Sequence, residues 1–582
     1  MKHFFPFIVI VTVLYFSSCA NQGNPTGGPR DTIPPAWTKS YPPNKSLNYK
    51  GRTFRFEFDE RVSADQMKQK FNITPHTENK YKTVVKKYTL EMEFEEDFDD
   101  STTYTFNFAD AVVDVTEKNP VENFTYAFST GPYIDSIYVN GTVKDLYKNT
   151  PLKQATVALY AIDDTLDLFT GKGRYFTKTN EDGQYLIENI KTGYYRLYGF
   201  DDKDKNLQNN PQEEMHGFFS DSINLNISTD SLHMKLQLLD ASQPEFVRSK
   251  TTGIYFDVLY NKYLSDYSLS LLTGKKKSIP KNNFYKDNTT IRFYPDGSVP
   301  IDKDSLQLKI DAIDSLGNSL TDTVYIKFAE SRRKAESFSF TMKPSASFKI
   351  LDSIPFLIEF SKPIVTTIND SLVLSYDTLK QMTIPDSIII WNKRRTKASF
   401  KIPIDNKFIS NNIEQVQAKR QAEDSIVRAQ MEADTLFKPE RPRRLPLPKN
   451  QIKFSAKKAA FISIDNDSTE AKPLSFSFFD PEKTGEVSGA ITTEYKSYTL
   501  QLVTNNYTVV SELRNDSTFR FKHVQPGKYT FRVLIDENED GIWSPGNILK
   551  NTEPEPIWFY SETFDVKAGW FIELFDDNKL TF

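Results

Sequence analysis

The chain of 582 residues has very few cysteines and histidines, and this scarcity excludes several kinds of site. Its single cysteine, Cys19, cannot form an internal disulfide bond. Its five histidines are scattered and lack the His-Glu-x-x-His spacing of a zinc protease. The Gly-x-Ser-x-Gly elbow of hydrolases and the Gly-x-x-x-x-Gly-Lys phosphate loop are also missing. These absences argue against an enzyme, although two carboxylates among 77 acidic residues could still serve a hydrolase with an unrecognised site.

The chain also lacks an excess of either charge and a late membrane-spanning run. Its 73 basic residues nearly balance 77 acidic ones, for a net charge of −4, and no basic stripe points to nucleic acid. After residue 16, no apolar stretch approaches the length of a membrane span. We therefore expect no nucleic-acid partner and no transmembrane anchor.

The first 19 residues have the pattern of an export signal. A mildly basic start precedes an apolar run at 4–16, which is short for a bilayer span, and then the small residues Ser17 and Ser18. Because Cys19 follows these small residues directly, the segment resembles a bacterial lipoprotein signal. The alternative is a plain secretory signal with an incidental cysteine.

The resemblance to a lipoprotein signal implies that Cys19 is acylated and becomes the mature N-terminus. The lipid would then hold the protein on a membrane. Residues 20–30 are rich in glycine, proline and asparagine, which predicts a flexible tether behind the anchor. The expected location is the outer membrane of a Gram-negative cell. Some lipoproteins of such cells carry an acidic cluster after the cysteine that directs them to the cell surface. This chain has no such cluster, so the sequence leaves open which face of the membrane it occupies.

Alternation of apolar and polar residues dominates the rest of the chain. It is clear at 53–58, 104–108, 338–342 and 519–522. A period of two with polar partners predicts half-buried antiparallel strands, and short strands between turn residues favour β-sandwiches. The predicted fold class is therefore all-β, with tandem antiparallel sandwiches and one helical insertion.

An internal repeat organises the two halves of the chain. The segment 193–211 reappears 334 residues later, without a gap, as 527–545. Both copies resemble the transthyretin-like or carboxypeptidase-regulatory-like sandwich of exported bacterial proteins. The resemblance implies a structural or binding module without a peptidase zinc site. The matching residues are 141–143, 151–160, 182–185 and 190–195 in the first copy, and 489 and 524–529 in the second.

The segment before the first copy resembles a bacterial immunoglobulin-like (Ig-like) domain of the surface-layer type. The resemblance rests on residues 31–35, 41–44, 56–62 and 127–131. A weaker match at 356–364 suggests a second domain of this type. The predicted organisation is a signal at 1–19, a tether at 20–30, an Ig-like domain at 31–132, a transthyretin-like sandwich at 133–243, a further β-sandwich at 244–334, an Ig-like sandwich at 335–478 and a transthyretin-like sandwich at 479–582.

One segment breaks the β pattern. Good helix formers fill 412–436, with apolar residues too sparse for a deep core face, so we expect a largely solvated helix. A proline-rich stretch at 439–448 should be extended. The insertion 411–450 is either a docking element or a tolerated surface insertion.

Acidic loops in both copies of the repeat have the spacing of a calcium loop, in which alternate side chains direct oxygen ligands to one cation. The second loop has a glycine at position six but no terminal glutamate, whereas the first has Leu207 in place of that glycine. The sequence predicts structural Ca²⁺ there, or else ordinary acidic turns. The candidate ligands are Asp536, Asn538, Asp540, the carbonyl of Ile542, Ser544 and Asn547, and in the first copy Asp202, Asp204, Asn206, Asn210 and Glu213.

Triplets of Asp, then Ser or Thr, then an aliphatic residue or Thr recur along the chain. They resemble the O-glycosylation acceptor of one group of Gram-negative bacteria. The alternative is structural, because Asp and Ser or Thr form local turns before strands. Both interpretations place the residues at exposed strand edges. The candidate acceptors are Thr32, Ser136, Thr165, Ser222, Ser305, Ser353, Ser387, Ser425 and Thr435.

Together these patterns favour a non-catalytic, lipid-anchored protein of the cell envelope. Its expected role is that of a scaffold or accessory subunit, with an outer-membrane β-barrel or another envelope complex as partner and the insertion 411–450 as the contact. The first alternative is a glycan-binding protein, in which Trp543, Trp558 and Trp570 either cluster on the surface or belong to the core. The second alternative is the hydrolase with an unrecognised site.

Overall fold

The structure is a computed structural model that describes residues 31–582 apart from 123, 273–277, 302–304, 369, 378, 434–446, 448 and 450. Several sequence predictions lie outside these residues. They are the export signal 1–19 with its lipidated Cys19, the tether 20–30, the glycosylation candidate Thr435 and nearly all of the proline-rich stretch 439–448.

The described residues form 44 β-strands and two α-helices, which confirms the predicted all-β fold with one helical insertion. The chain divides into two compact units, Met1–Asp240 and Ala241–Phe582. Five hydrophobic clusters lie among the described residues, two in the first unit and three in the second. We name the folded parts around these clusters modules 1 to 5, in chain order. None of the described helices is both long and apolar enough to cross a membrane.

Module 1 packs aromatic side chains between antiparallel sheets. Along its second strand Phe54, Phe56 and Phe58 are buried and alternate with more exposed residues, as a period of two requires. Its elements are β1 (Trp37–Tyr41), β2 (Thr53–Phe58), β3 (Val62–Ser63), α1 (Met67–Lys70), β4 (Asn72–Thr74), β5 (Tyr81–Lys86), β6 (Thr89–Phe94), β7 (Thr103–Asn107), β8 (Val113–Asp114) and β9 (Thr125–Ser129). The sheet orders are β1-β2-β6-β5, β4-β7-β9 and β3-β8.

Module 2 completes the first unit. Its elements are β10 (Ile137–Asp145), β11 (Thr156–Ala161), β12 (Tyr175–Lys178), β13 (Gln184–Ile190), β14 (Gly193–Phe200), β15 (His216–Phe218), β16 (Ile223–Leu225) and β17 (Met234–Leu236). One sheet has the order β13-β10-β17, and the other has the order β12-β11-β14-β15 with β16 also paired to β14. Strands β10 and β17 run parallel, whereas the other pairs are antiparallel.

Module 3 opens the second unit with two antiparallel sheets of orders β18-β19-β22-β21 and β20-β23-β24. Strand β20 therefore lies at an edge, a position used below. The elements are β18 (Phe246–Thr252), β19 (Tyr255–Tyr260), β20 (Asp266–Leu271), β21 (Asn282–Tyr285), β22 (Thr290–Phe293), β23 (Leu306–Ile313) and β24 (Ser319–Ile326).

Module 4 contains the helical insertion. Its sheets have the orders β25-β27-β32-β31, β26-β35-β33-β29-β30 and β28-β34. Its elements are β25 (Phe340–Lys343), β26 (Lys349–Ile350), β27 (Ser353–Phe360), β28 (Ile364–Thr367), β29 (Leu372–Tyr376), β30 (Lys380–Thr383), β31 (Ile390–Trp391), β32 (Lys397–Pro403), α2 (Asn406–Ala433), β33 (Gln451–Ala456), β34 (Phe461–Ser463) and β35 (Lys472–Phe478).

Helix α2 begins six residues before the predicted start at 412. Its first turns are anchored by packing, because Ile409 is fully buried and the ring of Phe408 lies 5.0 Å from that of Tyr376. Ile409 is the only buried residue of the helix, which agrees with the expected solvated surface. Contacts with the module, rather than propensity alone, therefore set where the helix begins.

Module 5 has the same strand topology as module 2. Its elements are β36 (Gly485–Thr492), β37 (Tyr498–Thr504), β38 (Val509–Arg514), β39 (Thr518–Val524), β40 (Gly527–Ile535), β41 (Ile557–Phe559), β42 (Phe564–Val566), β43 (Phe571–Leu574) and β44 (Leu580–Thr581). The orders β39-β36-β43 and β38-β37-β40-β41, with β42 on β40, match module 2 strand for strand. The parallel pair also recurs, as β36 with β43. Only β44, which pairs with β36, is additional.

Candidate functional site

The two acidic loops connect equivalent strands in modules 2 and 5. Acidic loop 1, residues 201–215, joins β14 to β15, and acidic loop 2, residues 536–556, joins β40 to β41. The shared topology of the modules therefore places both loops at the same end of the same sheet. This equivalence makes the loops the first place to look for a common function.

Three carboxylates converge in acidic loop 1. One oxygen each from Asp202, Asp204 and Glu214 lies within 4.8 Å of the others. Asp202 and Glu214 are 6% and 3% exposed, whereas Asp204 is exposed. The Oδ2 atom of Asp202 is buried without a hydrogen-bond partner, and Lys178 Nζ lies 3.7 Å from it. Because a buried carboxylate oxygen without a hydrogen bond is costly, the cluster suits a cation that takes oxygen ligands.

The structure brings Glu214, and not the predicted Glu213, to this cluster. Glu214 Oε1 accepts a bond of 2.7 Å from the backbone N–H of Lys203, and Oε2 accepts one of 2.9 Å from that of Asn210. Glu213 is exposed, and its backbone joins the loop: its carbonyl accepts a bond from Lys203 Nζ, and its N–H donates to Asn210 O. Glu214, near the end of the loop, therefore bonds the backbone at the start and in the middle of the loop.

The predicted amide ligands of acidic loop 1 form turns instead. Asn206 Nδ2 donates to Asp204 Oδ2 at 2.8 Å, and Asn206 Oδ1 accepts from the N–H of Gln208 at 2.6 Å. Asn210 Oδ1 accepts from the N–H of Gln212 at 3.1 Å. Of the five ligands predicted for this loop, the structure gathers Asp202 and Asp204 with one unpredicted carboxylate.

The carboxylates of acidic loop 2 are bonded within the protein. Asp536 Oδ2 accepts from Ser497 Oγ at 2.6 Å and from the N–H of Gly541 at 2.8 Å, and its Oδ1 accepts from Asp540 N–H at 3.2 Å. The Ser497 hydroxyl, followed by the backbone N–H groups, lowers the pKa of Asp536. Asn538 Oδ1 accepts from Asp540 N–H and Asp540 Oδ1 from Ile542 N–H, each at 2.8 Å. Donors within the loop, together with the Ser497 hydroxyl just before β37, therefore satisfy these side chains.

Both acidic loops have the same backbone conformation at two positions. Lys205 and Glu539 have φ of 61° and 60°, and Leu207 and Gly541 have φ of 61° and 89°. The left-handed region favours glycine, so Leu207 adopts the conformation that the missing glycine was expected to provide. Loop 1 therefore adopts the same turn as loop 2 although it lacks the glycine.

Each acidic loop is closed by a glutamate two residues before the returning strand. In loop 2 this residue is Glu555, whose Oε1 accepts from Asn538 N–H at 3.2 Å and whose Oε2 accepts from Ser544 N–H at 2.7 Å. It corresponds to Glu214 before β15. The gapless repeat hid this match, because loop 2 is longer before its strand returns. The pattern of a glutamate two positions before an apolar strand was the signal that could have revealed it.

The far end of acidic loop 2 contacts module 3. Asn547, predicted as its last ligand, donates from Nδ2 to Leu316 O at 3.1 Å and to Asn318 Oδ1 at 2.9 Å, while its Oδ1 accepts from Leu549 N–H. Lys550 Nζ donates to Gly317 O at 2.8 Å. Asn547 therefore fastens module 5 to the 314–318 turn of module 3. The side chain of Ile542, whose carbonyl was a candidate ligand, is 74% exposed.

The three tryptophans considered for glycan binding have separate surroundings. Trp543 donates from Nε1 to Glu555 O, Trp558 packs near the rings of Tyr560 and Phe582, and Trp570 is 50% exposed beneath the ammonium of Lys567. The rings that contact Trp558 thus belong to residues other than the two remaining tryptophans.

The glycosylation candidates are mostly accessible. Ser136, Ser222 and Ser305 directly precede β10, β16 and β23, as expected for strand edges. Ser353 is half-buried at the start of β27, and Thr165 lies in the loop between β11 and β12. Ser387 lies in a short 3-10 helix, and Ser425 lies within α2, where its hydroxyl donates to Gln421 O. Glycosylation itself stays a prediction. The exposed candidates are Thr32, Ser136, Thr165, Ser222, Ser305, Ser387 and Ser425.

Residues 31–130 match the family Big_5, described as a bacterial Ig-like domain. The match covers module 1 and agrees with the resemblance seen at its opening and closing residues. This part of the chain is therefore a bacterial Ig-like domain. A comparison with curated proteins found none that matches.

Three solved structures illustrate what the chain is similar to. The Bacillus anthracis TIE protein is 9% identical, with 95% of this chain and 76% of that chain covered and a TM-score of 0.12. The Bacillus cereus major pilin subunit BcpA is 9% identical, with 76% and 99% covered and a TM-score of 0.12. Domains 1–6 of the surface layer protein SbsC are 11% identical, with 86% and 64% covered and a TM-score of 0.14.

Proposed function

We propose that this protein is a non-catalytic scaffold or accessory subunit of an outer-membrane complex, anchored to the membrane by a lipid on Cys19. The observation that carries the proposal is the way the sandwiches of the second unit are joined. Module 3 is fastened to module 4 through Tyr255 and Asp465, and to module 5 through Asn318 and Asn547. Modules held by side-chain contacts keep their surfaces in fixed relation, as a scaffold requires.

Helix α2 is the surface that we propose for the partner. Its first turns are anchored in module 4, but Ile426 and Met431, further along, are 59% and 47% exposed. The two lie about 140° apart around the helix axis, with Val427 between them, so the three residues form a broad apolar stripe on a helix whose other residues are mostly polar. Exposed apolar side chains on a polar helix are suited to insertion into a groove of another protein.

Replacing Ile426 with aspartate should reduce recovery of the envelope partner by about tenfold, because the charge would have to enter an apolar groove. The tagged full chain would be purified from detergent-solubilised membranes, and retained proteins would be quantified by mass spectrometry. The matched control is Ile227→Asp, since Ile227 is 76% exposed in the first unit. Equal recovery with both variants would contradict the assignment of the helix, and a chain purified without any stoichiometric partner would contradict the scaffold itself.

We further infer that acidic loop 1 holds a structural divalent cation, with Ca²⁺ as the candidate. Asp202, Asp204 and Glu214 supply carboxylate oxygens, which are ligands that Ca²⁺ prefers. Asp202 Oδ2, which accepts no hydrogen bond and has the ammonium of Lys178 3.7 Å away, supports this site over acidic loop 2, where Asp536 already accepts three bonds. Calcium in acidic loop 2 stays a prediction from the sequence.

Calcium should raise the melting temperature of the first unit, because a ligand that binds only the folded state stabilises it by mass action. Saturation about a hundredfold above Kd corresponds to about 2.7 kcal/mol, or roughly 5 °C or more for a unit of this size. Calorimetry of the full chain in chelator and in millimolar calcium would measure the increment. Asp204→Asn should remove it, whereas Asp182→Asn, at an exposed aspartate of the same module, should retain it. An identical melting curve with and without calcium would leave the cluster as an acidic turn.

A further inference from the structure

A basic cleft lies between modules 3 and 4, both in the second unit. Its volume is about 490 Å³, within the range of small-molecule sites. Strand β20 and residues 279–282 form one wall, and residues 363–365, 393–395 and 464 form the other. Four of the lining residues are cationic, and no carboxylate lines the cleft within the described part of the chain; the four are Lys281, Lys393, Arg394 and Arg395.

The two arginines of the basic cleft are held in place. Arg394 Nη2 donates to Asp266 Oδ1 and to Tyr267 O, each at 2.9 Å, and its guanidinium lies 4.0 Å from the ring centre of Tyr267. Arg395 Nε donates to Ile364 O at 2.9 Å, and its guanidinium lies 4.4 Å from the ring centre of Trp391. Asp266 balances only one of the four charges. The cleft therefore presents positive charge that needs little reorganisation to meet an anion.

The remaining lining residues suit a molecule with both apolar and hydroxyl-bearing faces. Pro280, Pro363 and Ile364 provide apolar walls, and Ser268 provides a hydroxyl group. The amide of Asn282 is already bonded to Tyr267 and Pro280 and fixes this wall. Sugars carry C–H faces beside rims of hydroxyl groups, and an acidic sugar adds a carboxylate or sulfate. Charge and lining therefore match an acidic saccharide.

An extended acidic peptide matches the basic cleft less well. Strand β20 is an edge strand, so a peptide could in principle pair along it. Arg394, however, already donates to the carbonyl of Tyr267 in the middle of this wall. A compact ligand leaves this bond in place, whereas a peptide paired along β20 would compete for the Tyr267 carbonyl and displace the Arg394 guanidinium.

We propose that the basic cleft between modules 3 and 4 binds a short acidic saccharide. The cleft and α2 are separate surfaces, so this activity is independent of the proposed scaffold contact. Lys281 and Lys393 are exposed residues at the cleft and can be changed without disturbing the bonds of the two arginines. They are therefore the residues to test.

The test is calorimetric titration of the full chain, at low salt, with trigalacturonate, neutral maltotriose and hexaglutamate. Trigalacturonate should bind, and Lys281→Gln with Lys393→Gln should weaken its affinity by about tenfold, since two charge-assisted contacts are lost. The matched control is Lys522→Gln with Lys528→Gln, which removes the same charge from exposed positions in module 5. It should bind like the unchanged chain.

Three outcomes would overturn the proposal. The first is equal weakening by both pairs of substitutions, which would mean attraction by net charge alone. The second is hexaglutamate binding as tightly as trigalacturonate, which would favour an acidic peptide. The third is no heat of binding from trigalacturonate at any accessible concentration.

Discussion

Replacing Lys362 with methionine should destabilise module 4 by about 3–5 kcal/mol, because it removes one partner of a buried charge cluster. The Lys362 side chain is 4% exposed, and its Nζ lies 2.7 Å from Asp465 Oδ2 and also bonds Asp467. The Asp465 side chain is 5% exposed, so it would be left buried without its cationic partner, bonded to the hydroxyl of Tyr255. Burial opposes the charge on Lys362, but the bonds to Asp465 and Asp467 outweigh it and raise the pKa of Lys362.

The same change should also loosen module 3, because Asp465 accepts a bond of 2.5 Å from the hydroxyl of Tyr255. Burial, followed by the bond to Asp465, raises the pKa of Tyr255 to about 12, so its hydroxyl keeps the proton that it donates. Adding Asp465→Asn to Lys362→Met should recover part of the loss, since the uncompensated charge is then gone. Recovery would show that the loss of stability comes from the uncompensated charge rather than from lost packing of the Lys362 side chain.

Hydrogen exchange of the full chain, read by mass spectrometry over β28 and β34, would measure the loss of stability. The control is Lys458→Met, because Lys458 and Glu470 form an exposed pair at 3.6 Å that should contribute less than about 1 kcal/mol. If Lys362→Met and Lys458→Met exchange alike, the buried cluster does not stabilise the junction. That result would remove the main support for a fixed arrangement of these modules.

Replacing Phe54 with alanine should cost module 1 about 3–5 kcal/mol, the usual range for a large aromatic residue in a core. Phe54 is fully buried, and its ring centre lies 4.8 Å from those of both Phe106 and Phe128. Because Phe54 is surrounded by other rings, the cavity cannot be filled by a small rearrangement of flexible side chains. The loss should appear as faster exchange throughout β2, β6 and β7.

Two comparisons make the Phe54 result specific. Val84→Ala, at a side chain that is 49% exposed on β5, should change module 1 by less than about 0.5 kcal/mol. Exchange in module 5 should not respond to either substitution. A small effect at Phe54, comparable to that at Val84, would mean that the ring cluster is not the core that holds this Ig-like domain together.

The fold class could be read from the sequence because its signal is local. The alternation at Phe54, Phe56 and Phe58 specifies one buried face whatever the strand pairs with. The start of α2 was missed for the opposite reason. Phe408 and Ile409 precede the run of strong helix formers, and they are helical because they pack against module 4. A tertiary contact of this kind leaves no periodic trace in the sequence.

The candidate site was only partly predictable for a similar reason. Asp202 and Asp204 follow a local spacing, so the sequence identified them. Glu214 and Glu555 lie just before the strand that follows each loop. Because the loops differ in length, the two glutamates stand at different sequence separations from the first aspartate. The junction of modules 3 and 4 was beyond prediction, since Tyr255 and Asp465 are separated by 210 residues. Only the folded chain brings such residues together.

The scaffold proposal is tested most directly by photo-crosslinking from helix α2 in living cells. A photoreactive amino acid would replace Ile426 in one full-length chain and Ile227 in another, since both positions are exposed. The account predicts one discrete adduct, containing an outer-membrane protein, from position 426 and none of that mass from position 227. No adduct from position 426, or the same diffuse set of adducts from both positions, would contradict it.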